Sequence, residues 1–430
     1  MIVELVVTAG PHLGQTFRFA DHAAFLVGRS KDAHFRLPDK DPHISRFHLL
    51  VEVNPPLCRL RHMSATNPTK VNGAAVEEAD LGDGDRIGLG ATELTVRLVG
   101  SDAGSAFPTV TLPHEAAPGP PPPDDDRTKT SAPISLGSSA DAPSEPSAPP
   151  DPGAPVIAGY RVGDKLGEGG MGVVYRATHL ASGDEVAVKT IRPAGAVTVP
   201  AVTKFVREAD IVRRLAHPGI VTFRDSGVAG GRVWFAMEYV PGANAGEVAK
   251  KNKPLAVGRA VGWMVQALDA LAYAHAKGFV HRDVKPENLL VTTAGGREVV
   301  KVADFGLARA YEASPLSGLT LTGQAGGTVA FMPPEQVLDM RSVKPSADQY
   351  AAGATLYRLL TGHHVHPPSG SVQAHLRRVL EEDATPIRTH RPDLPAGLAK
   401  AVHRALSRAA ADRFPDVTAF ATAVRPFAGG

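Results

Sequence analysis

The spacing of apolar residues changes character twice along this chain. Residues 1 to 98 carry short β-branched and aromatic runs, "VELVVT", "QTFRFA", "FLVGR", "FHLLVEV", "CRLRHM", "DRIGLG" and "TELTVRLVG", separated by turn residues such as Asn72-Gly73 and the "GDGD" of Gly82 to Asp85. Strands at this spacing predict an all-β sandwich. Residues 99 to 156 lose the pattern and turn to Pro, Ala, Ser and Asp, as in "PGPPPPDDD" and "SEPSAPPDPGAP". Such a segment cannot bury enough apolar surface to offset chain entropy, which predicts a disordered linker. From 157 to 241 the pattern is again strand-like, interrupted by one helical stretch, "AVTKFVREADIVRRL". From 242 to 427 it becomes helical, in "AVGWMVQALDALAYAHAKG", "SADQYAAGATLYRLLTG" and the tail from Leu394 to Val424. The expected architecture is therefore multidomain: a sandwich, a Pro-rich linker, and an α+β unit made of a small β-rich lobe and a larger helical lobe. No internal repeat is visible.

Composition narrows the function classes. A chain of 430 residues that is 43% hydrophobic can fill more than one core. The net charge of +2 gives no support for bulk nucleic-acid binding or a polybasic membrane anchor. The single cysteine, Cys58, rules out an intramolecular disulfide, fits a reducing compartment and reads as a small core residue. The start "MIVELVVTAGPHLGQ" reads as a strand rather than a leader, and no run is long and apolar enough to span a bilayer. These features predict a soluble, cytoplasmic protein.

The chemistry concentrates beyond residue 160. In "LGEGGMGVVYRATH", Gly167, Gly169 and Gly172 form a Gly-x-Gly-x-x-Gly. A dinucleotide-binding turn would continue as a helix, whereas "VVYRATH" is β-branched and leads to a second strand, "VAVKT". A glycine hairpin covering phosphates fits better, and the absence of a following Gly-Lys-Ser/Thr excludes a Walker-type loop. Lys189 in that second strand can meet nucleotide phosphates, with Glu208 in the helical "FVREADIV" as its expected anchor. Then come "HRDVKPENLL" and "VADFGLA". Asp283 can accept the proton of an incoming hydroxyl and Lys285 can neutralise a phosphoryl group in flight. Asn288 and Asp304 can hold Mg²⁺ against nucleotide phosphates.

These motifs closely resemble the eukaryotic-like Ser/Thr protein kinases of bacteria, over about residues 160 to 424. The resemblance implies a two-lobed enzyme with ATP in the cleft and Mg²⁺ or Mn²⁺ as cofactor. It places Leu166, Val174, Ala187 and Leu290 beside the nucleotide, Met237 as gatekeeper, and the backbones of Glu238 and Val240 against adenine. Asp348 and Arg413 become supports of the helical lobe, and Lys285, two residues after the base, is the pattern of Ser/Thr-specific members. Pro333 stands where Ala or Ser is usual before "PE".

In the N-terminal region "VGRS", "HISRFH" and "TNPTKVNG" together resemble the forkhead-associated (FHA) domain. That resemblance implies a sandwich whose loops read phosphothreonine. Arg29 and Ser45 would contact the phosphate, Arg46 would add charge, His48 would brace the loop, and Thr66 and Asn67 would hold the peptide. A guanidinium fork with hydroxyl and amide donors suits a dianionic phosphate. Pro68 replaces the family's usual Gly, and "RHMSA" lacks the common acidic and glycine residues before it.

The hydroxyl-rich stretch "SPLSGLTLTGQAGGT", Ser314 to Thr328, then divides. Thr328 matches the family's threonine that bonds the catalytic Asp and Lys. Thr320 and Thr322 match self-phosphorylated positions that Arg282 could pair with once modified. Ser314 and Ser317 read as loop filler. A phosphothreonine made at Thr320, Thr322, Thr128 or Thr130 is the group the FHA loops would read, within one molecule or between two in a transient homodimer. "HHVHP", His363 to Pro367, reads as a solvated loop rather than a metal site. The expected partners are Ser/Thr-containing proteins and phosphothreonine proteins or segments. The rival is an inactive kinase-fold scaffold acting through phosphopeptide binding. The long stretch from Asp304 to Glu335 argues against a small-molecule acceptor.

Overall fold

The computed structural model describes residues 1–38, 43–64, 67–100, 154–169, 172–191, 213–230, 232–251, 254–305, 329–339, 343–367 and 371–429. Residues 101–153 of the expected linker, Glu208, Thr66 and the threonines at 128, 130, 320, 322 and 328 lie outside them.

Eleven strands build the N-terminal sandwich: β1 (Ile2–Ala9), β2 (Thr16–Phe19), β3 (Ala23–Gly28), β4 (Phe35–Arg36), β5 (Leu49–Asn54), β6 (Leu57–His62), β7 (Thr69–Val71), β8 (Ala74–Val76), β9 (Glu78–Asp80), β10 (Arg86–Leu89) and β11 (Thr92–Val99). They form a six-stranded sheet, β2-β1-β11-β10-β7-β8, and a five-stranded sheet, β4-β3-β5-β6-β9. Alternation fills the space between them. Val3, Leu5 and Val7 of β1 with Leu94 and Val96 of β11 meet Phe25, Val27, Leu49 and Val51 of the other sheet. Cys58 joins this core, and burial pushes its thiol up to about 12, so it is chemically quiet. The β7–β8 hairpin turns on Asn72 and Gly73, both at positive φ (51° and 85°), the geometry that selects Asn-Gly.

The small lobe of the second unit is one antiparallel sheet, β12 (Tyr160–Gly169), β13 (Gly172–His179), β14 (Glu185–Ile191), β15 (Phe223–Ala229) and β16 (Arg232–Glu238), in the order β12-β13-β14-β16-β15. The larger lobe begins with a three-stranded sheet, β17 (Ala243–Asn244), β18 (Leu289–Ala294) and β19 (Arg297–Val302). Its helices are α1 (Ala245–Lys251), α2 (Val257–Ala276), α3 (Pro334–Leu338), α4 (Pro345–Thr361), α5 (Val372–Glu381), α6 (Ile387–His390), α7 (Ala396–Ala405) and α8 (Val417–Val424). Helix α2 buries Val261, Met264, Leu268 and Leu271 at helical spacing, and α4 stops at Gly362, whose φ of 74° a side chain would disfavour. The helical tail consists of two helices, α7 and α8, around a 3₁₀ turn at Ala410–Asp412.

One expectation fails here. "HHVHP" is not a solvated loop throughout, because Val365 and His366 are buried, at 1% and 2% exposure. Burial, reinforced by the charges of His375 and Arg378, lowers the His366 imidazole to about 4. No group of metal-binding side chains assembles there or elsewhere among the described residues. No helix among them is long and apolar enough to cross a membrane.

Candidate active site

The glycine motif closes a hairpin, as its β-branched sequel predicts. Gly167 faces Val174 and Gly169 faces Gly172 across β12 and β13. A Cβ on Gly172 would stand 1.7 Å from the Thr190 carbonyl oxygen, so only glycine lets β13 lie this close to β14. A Cβ on Gly167 or Gly169 would meet nothing within 4 Å, which leaves their backbone open to a ligand.

Strand register lines up the rest of the wall. Val174 pairs with Lys189, and Ala187 with Met237. Val174, Met237, Val240 and Leu290 stay half-buried while their neighbours Val173, Val188, Ala236 and Leu289 are buried, as expected for the apolar lining of a cleft. Leu166 is exposed at the mouth. Glu238 is committed to the lobe junction. Its N–H donates to Thr222 O (2.8 Å), and its carboxylate accepts from Thr222 N (3.2 Å) and Lys301 Nζ (2.5 Å). Burial opposes ionisation of Glu238, but the Lys301 ammonium and the Thr222 donors outweigh it and lower its pKa. Among the described residues no partner takes the Val240 N–H.

The two lobes are tied at β19, where Val221 N donates to Val302 O (3.0 Å) and Val302 N to Gly219 O (2.8 Å). That tie sets Asp304 below Lys189, whose Nζ donates to Asp304 Oδ2 at 2.6 Å. Among the described residues this is the partner seen for Lys189; the expected anchor, Glu208, lies outside them. Burial resists ionisation of Asp304, yet the adjacent Lys189 ammonium, with Lys285 and His281 further off, holds its carboxyl below the usual range.

The segment from His281 to Asn288 is fixed from below by one buried carboxylate. Asp348 accepts from the backbone N–H of both His281 and Arg282 (2.7 Å each), and its Oδ2 lies 2.7 Å from His275 Nε2. His281 is itself braced: its Nε2 is 2.8 Å from the Ala303 carbonyl, so it donates there, and Nδ1 accepts from Asp283 N (3.2 Å). Phe305 packs edge-on against it at 4.5 Å. Arg282 and Asp304 both hold left-handed backbone, at φ 71° and 61°. Two non-glycine residues in this region within one site mark a strained, over-determined arrangement.

Above that base the polar groups converge. Lys285 Nζ donates to Asp283 Oδ2 at 2.8 Å, and Asn288 Nδ2 donates to Asp283 O (2.7 Å) and Oδ2 (3.1 Å). Both side-chain bonds fall on Oδ2, and among the described residues none falls on Asp283 Oδ1. The Asn288 amide spends its N–H groups on Asp283 and keeps its Oδ1 as an acceptor. Below, Glu335 and Arg413 form a two-pronged ion pair (2.5 and 2.8 Å), and Arg413 also donates to the carbonyls of Ser346, Ser407 and Arg408. Gln336 donates to Arg282 O (2.9 Å).

At the sandwich end, Arg29 N donates to Ser45 O (3.0 Å), Arg29 Nε to Ile44 O, and Ser30 N to Arg46 O (2.9 Å). A Cβ on Gly28 would sit 2.1 Å from Arg46 O, so glycine is what admits this loop. Ser45 Oγ meets Ser64 Oγ at 2.6 Å, and Ser64 Oγ accepts from Asn67 N at 3.2 Å. His48 Nδ1 accepts from Ser45 N (3.2 Å). Arg29, Ser45 and Asn67 are thus brought together, and Ser64, which sequence reasoning passed over, joins the two loops. The Arg46 guanidinium, on the same loop, lies 3.0 Å from Glu381 of α5 and stays 61% exposed.

The family model for the protein kinase domain matches residues 160–414, and that for the FHA domain matches residues 25–90. Serine/threonine-protein kinase PknJ of Mycobacterium tuberculosis is 37% identical over 270 residues, covering 62% of this chain and 45% of PknJ. Kinase pkn3 of Myxococcus xanthus is 37% identical over 270 residues, covering 61% and 48%. The chain thus spans about half the length of the curated relatives it matches. Among solved structures, the M. tuberculosis PknI kinase domain (C20A mutant) aligns over 64% of this chain and 97% of its own, at 32% identity and a TM-score of 0.51. Rad53 residues 1–466, solved with AMP-PNP, aligns over the whole of both chains at a TM-score of 0.52; at 17% identity that likeness concerns the fold alone. With the match extending over more than half of its 430 residues, the chain belongs to the protein kinase family and carries an FHA domain ahead of its kinase domain.

Proposed function

We propose that this chain transfers the γ-phosphate of ATP to Ser and Thr hydroxyls of proteins, itself included, while its FHA domain binds phosphothreonine peptides for substrate recruitment or self-regulation. The observation that carries the reading is the Asp283 carboxylate, held through Oδ2 by Lys285 and Asn288, with no bond on Oδ1 among the described residues. Asp283 orients the acceptor hydroxyl and takes its proton. Lys285 offers positive charge beside the transferred group. Lys189 meets the nucleotide phosphates, the backbone of Gly167, Gly169 and Gly172 covers them, and the Glu238 and Val240 backbones face adenine. Phosphoryl transfer asks mainly for such positioning and charge placement.

Asn288 and Asp304 fit a hard divalent cation, because the first presents a carbonyl oxygen and the second an ionised carboxylate. Bound there, Mg²⁺ or Mn²⁺ supplies charge neutralisation for the nucleotide phosphates. Glu208 is assigned as the anchor of Lys189 in the active form, Thr328 as a partner of Asp283 and Lys285, and Thr320 and Thr322 as self-phosphorylated switches. Arg29, Ser45, Arg46, Thr66 and Asn67 are assigned to the phosphopeptide. The unit boundaries are set at 1–98, 99–156, 157–241 and 242–427, and the protein is assigned to the cytoplasm, with no nucleic-acid role. The scaffold alternative is disfavoured by the presence in the sequence of Lys189, Glu208, Asp283, Asn288 and Asp304.

The test is transfer of label from γ-labelled ATP to the chain and to a generic basic protein. Wild type should incorporate label and Asp283→Ala should not. Equal, low incorporation by both would favour the scaffold.

A further inference from the structure

The five-stranded sheet of the FHA domain buries both of its faces. On β3 and β5, Phe25, Val27, Leu49 and Val51 point into the sandwich core, while the cross-strand neighbours Leu26 and Leu50 lie on the opposite face. That outer face would meet water in an isolated sandwich, yet Leu26 and Leu50 are fully buried, as are Phe47 and Met63 beside them. They pack in one cluster with Val329, Met332, Val337, Leu376 and Val379 of the kinase domain. On α5 the residues Val372, Leu376, Val379 and Leu380 fall at i, i+4, i+7 and i+8, an apolar stripe turned to the sandwich. At the rim, Arg46 pairs with Glu381 and Arg377 approaches the Met63 carbonyl at 3.5 Å.

We infer that the FHA domain docks in cis on the α3–α5 face of the kinase domain, and that Glu381 competes with a phosphothreonine ligand for Arg46. The second half rests on the phosphopeptide reading given above. The loops that hold the site also hold the interface. Ser45 belongs to the recognition cluster, Arg46 to the rim and Phe47 to the apolar contact, while Met63 and Ser64 divide the same way. The apolar contact carries the docking, because Arg46 is 61% exposed and such a pair contributes little by itself. What the pair supplies is linkage: whatever draws Arg46 from Glu381 loosens docking, and docking weakens the ligand to the same degree. In the docked form the α3–α5 face is closed to any other protein. That face is one hydrogen bond from the catalytic loop, through Gln336 and the Arg282 carbonyl.

Hydroxyl-radical footprinting of the full chain tests docking, since Met63 and Met332 are 2% and 7% exposed and Met1 is 58% exposed. Both buried methionines should oxidise roughly tenfold more slowly than Met1, because susceptibility follows exposure. The double substitution Leu376→Glu/Val379→Glu should accelerate Met63, and Leu50→Glu should accelerate Met332. Each variant is read on the other domain, so local damage at the substituted element cannot mimic the result. Met63 oxidising like Met1 in wild type, or remaining protected in the α5 variant, would overturn docking. For the linkage, a fluorescent peptide of residues 316–328 phosphorylated on Thr322 should bind Glu381→Ala about 1.5- to 5-fold more tightly than wild type, and Arg46→Ala should abolish that difference. Equal affinities would overturn the competition. If no variant binds the peptide and wild type does not either, the phosphopeptide reading and the competition fall together, and the footprint still decides docking.

Discussion

Replacing Lys285 with Ala isolates one donor of the site while leaving Asp283 and the nucleotide wall in place. The Lys285 ammonium lies 2.8 Å from Asp283 Oδ2, and the two side chains are only 17% and 11% exposed. A charge-assisted hydrogen bond in such surroundings contributes about 1.5–3 kcal/mol. If that stabilisation is spent on the transition state, kcat should fall about 10- to 150-fold. Lys285 does not line the wall formed by Val174, Ala187 and Met237, so KM for ATP should stay within about threefold, the pattern of an interaction used during transfer rather than in binding. Steady-state phosphorylation of a basic protein over a range of ATP concentrations separates the two constants. Lys285→Arg should recover part of kcat, because it restores a cation within reach. A kcat within twofold of wild type for Lys285→Ala, or a loss confined to KM for ATP, would refute the role given to this lysine.

Stability should fall with acid through His366. Its folded pKa of about 4 lies below the ordinary 6.5, so the neutral form is favoured by folding and the stability is present above 6.5 and lost as pH drops towards 4. One such group removes about 2 kcal/mol by pH 5; thermal unfolding at pH 7 and pH 5 should show a smaller loss for His366→Gln, and an equal loss would contradict this. Ser64→Ala removes the hydroxyl that joins Ser45 to Asn67 and should weaken phosphothreonine-peptide binding about 2- to 12-fold in titration calorimetry, the equivalent of about 0.5–1.5 kcal/mol. Unchanged affinity would remove Ser64 from the site. Gly172→Ala would drive a methyl group into the Thr190 carbonyl and should destabilise the kinase domain by about 1–3 kcal/mol, seen as a lower Tm. An unshifted Tm would show that the hairpin tolerates the displacement.

Local chemistry made much of this legible in the sequence. The glycine hairpin followed from the β-branched residues after Gly172, the Asn72-Gly73 turn from its dipeptide, and the end of α4 from Gly362. The meeting of Asp283, Lys285 and Asn288 followed from polar residues that lie within a few positions of each other. What escaped depends on contacts between distant segments. Lys189 meets Asp304 across 115 positions, and Arg413 meets Glu335 across 78. The burial of His366 could not be read from "HHVHP", since it is decided by packing rather than by the polarity of those five residues. Ser64 carries no motif of its own and matters only because two loops close on it. The consecutive apolar residues of "HLLVEV" did break the alternation of a half-exposed strand. That was a legible sign that β5 is covered on both faces, although nothing local says that α5 provides the cover.

The central claim is that Asp283 directs phosphoryl transfer from ATP to Ser and Thr. Phosphosite mapping by mass spectrometry of the full chain, after incubation with ATP and Mg²⁺, tests it most directly against an Asp283→Ala control. New phosphate on Ser and Thr residues of the wild type alone, with Thr320 or Thr322 among the sites, is the predicted result. Matching phosphate maps for the two proteins would contradict the claim.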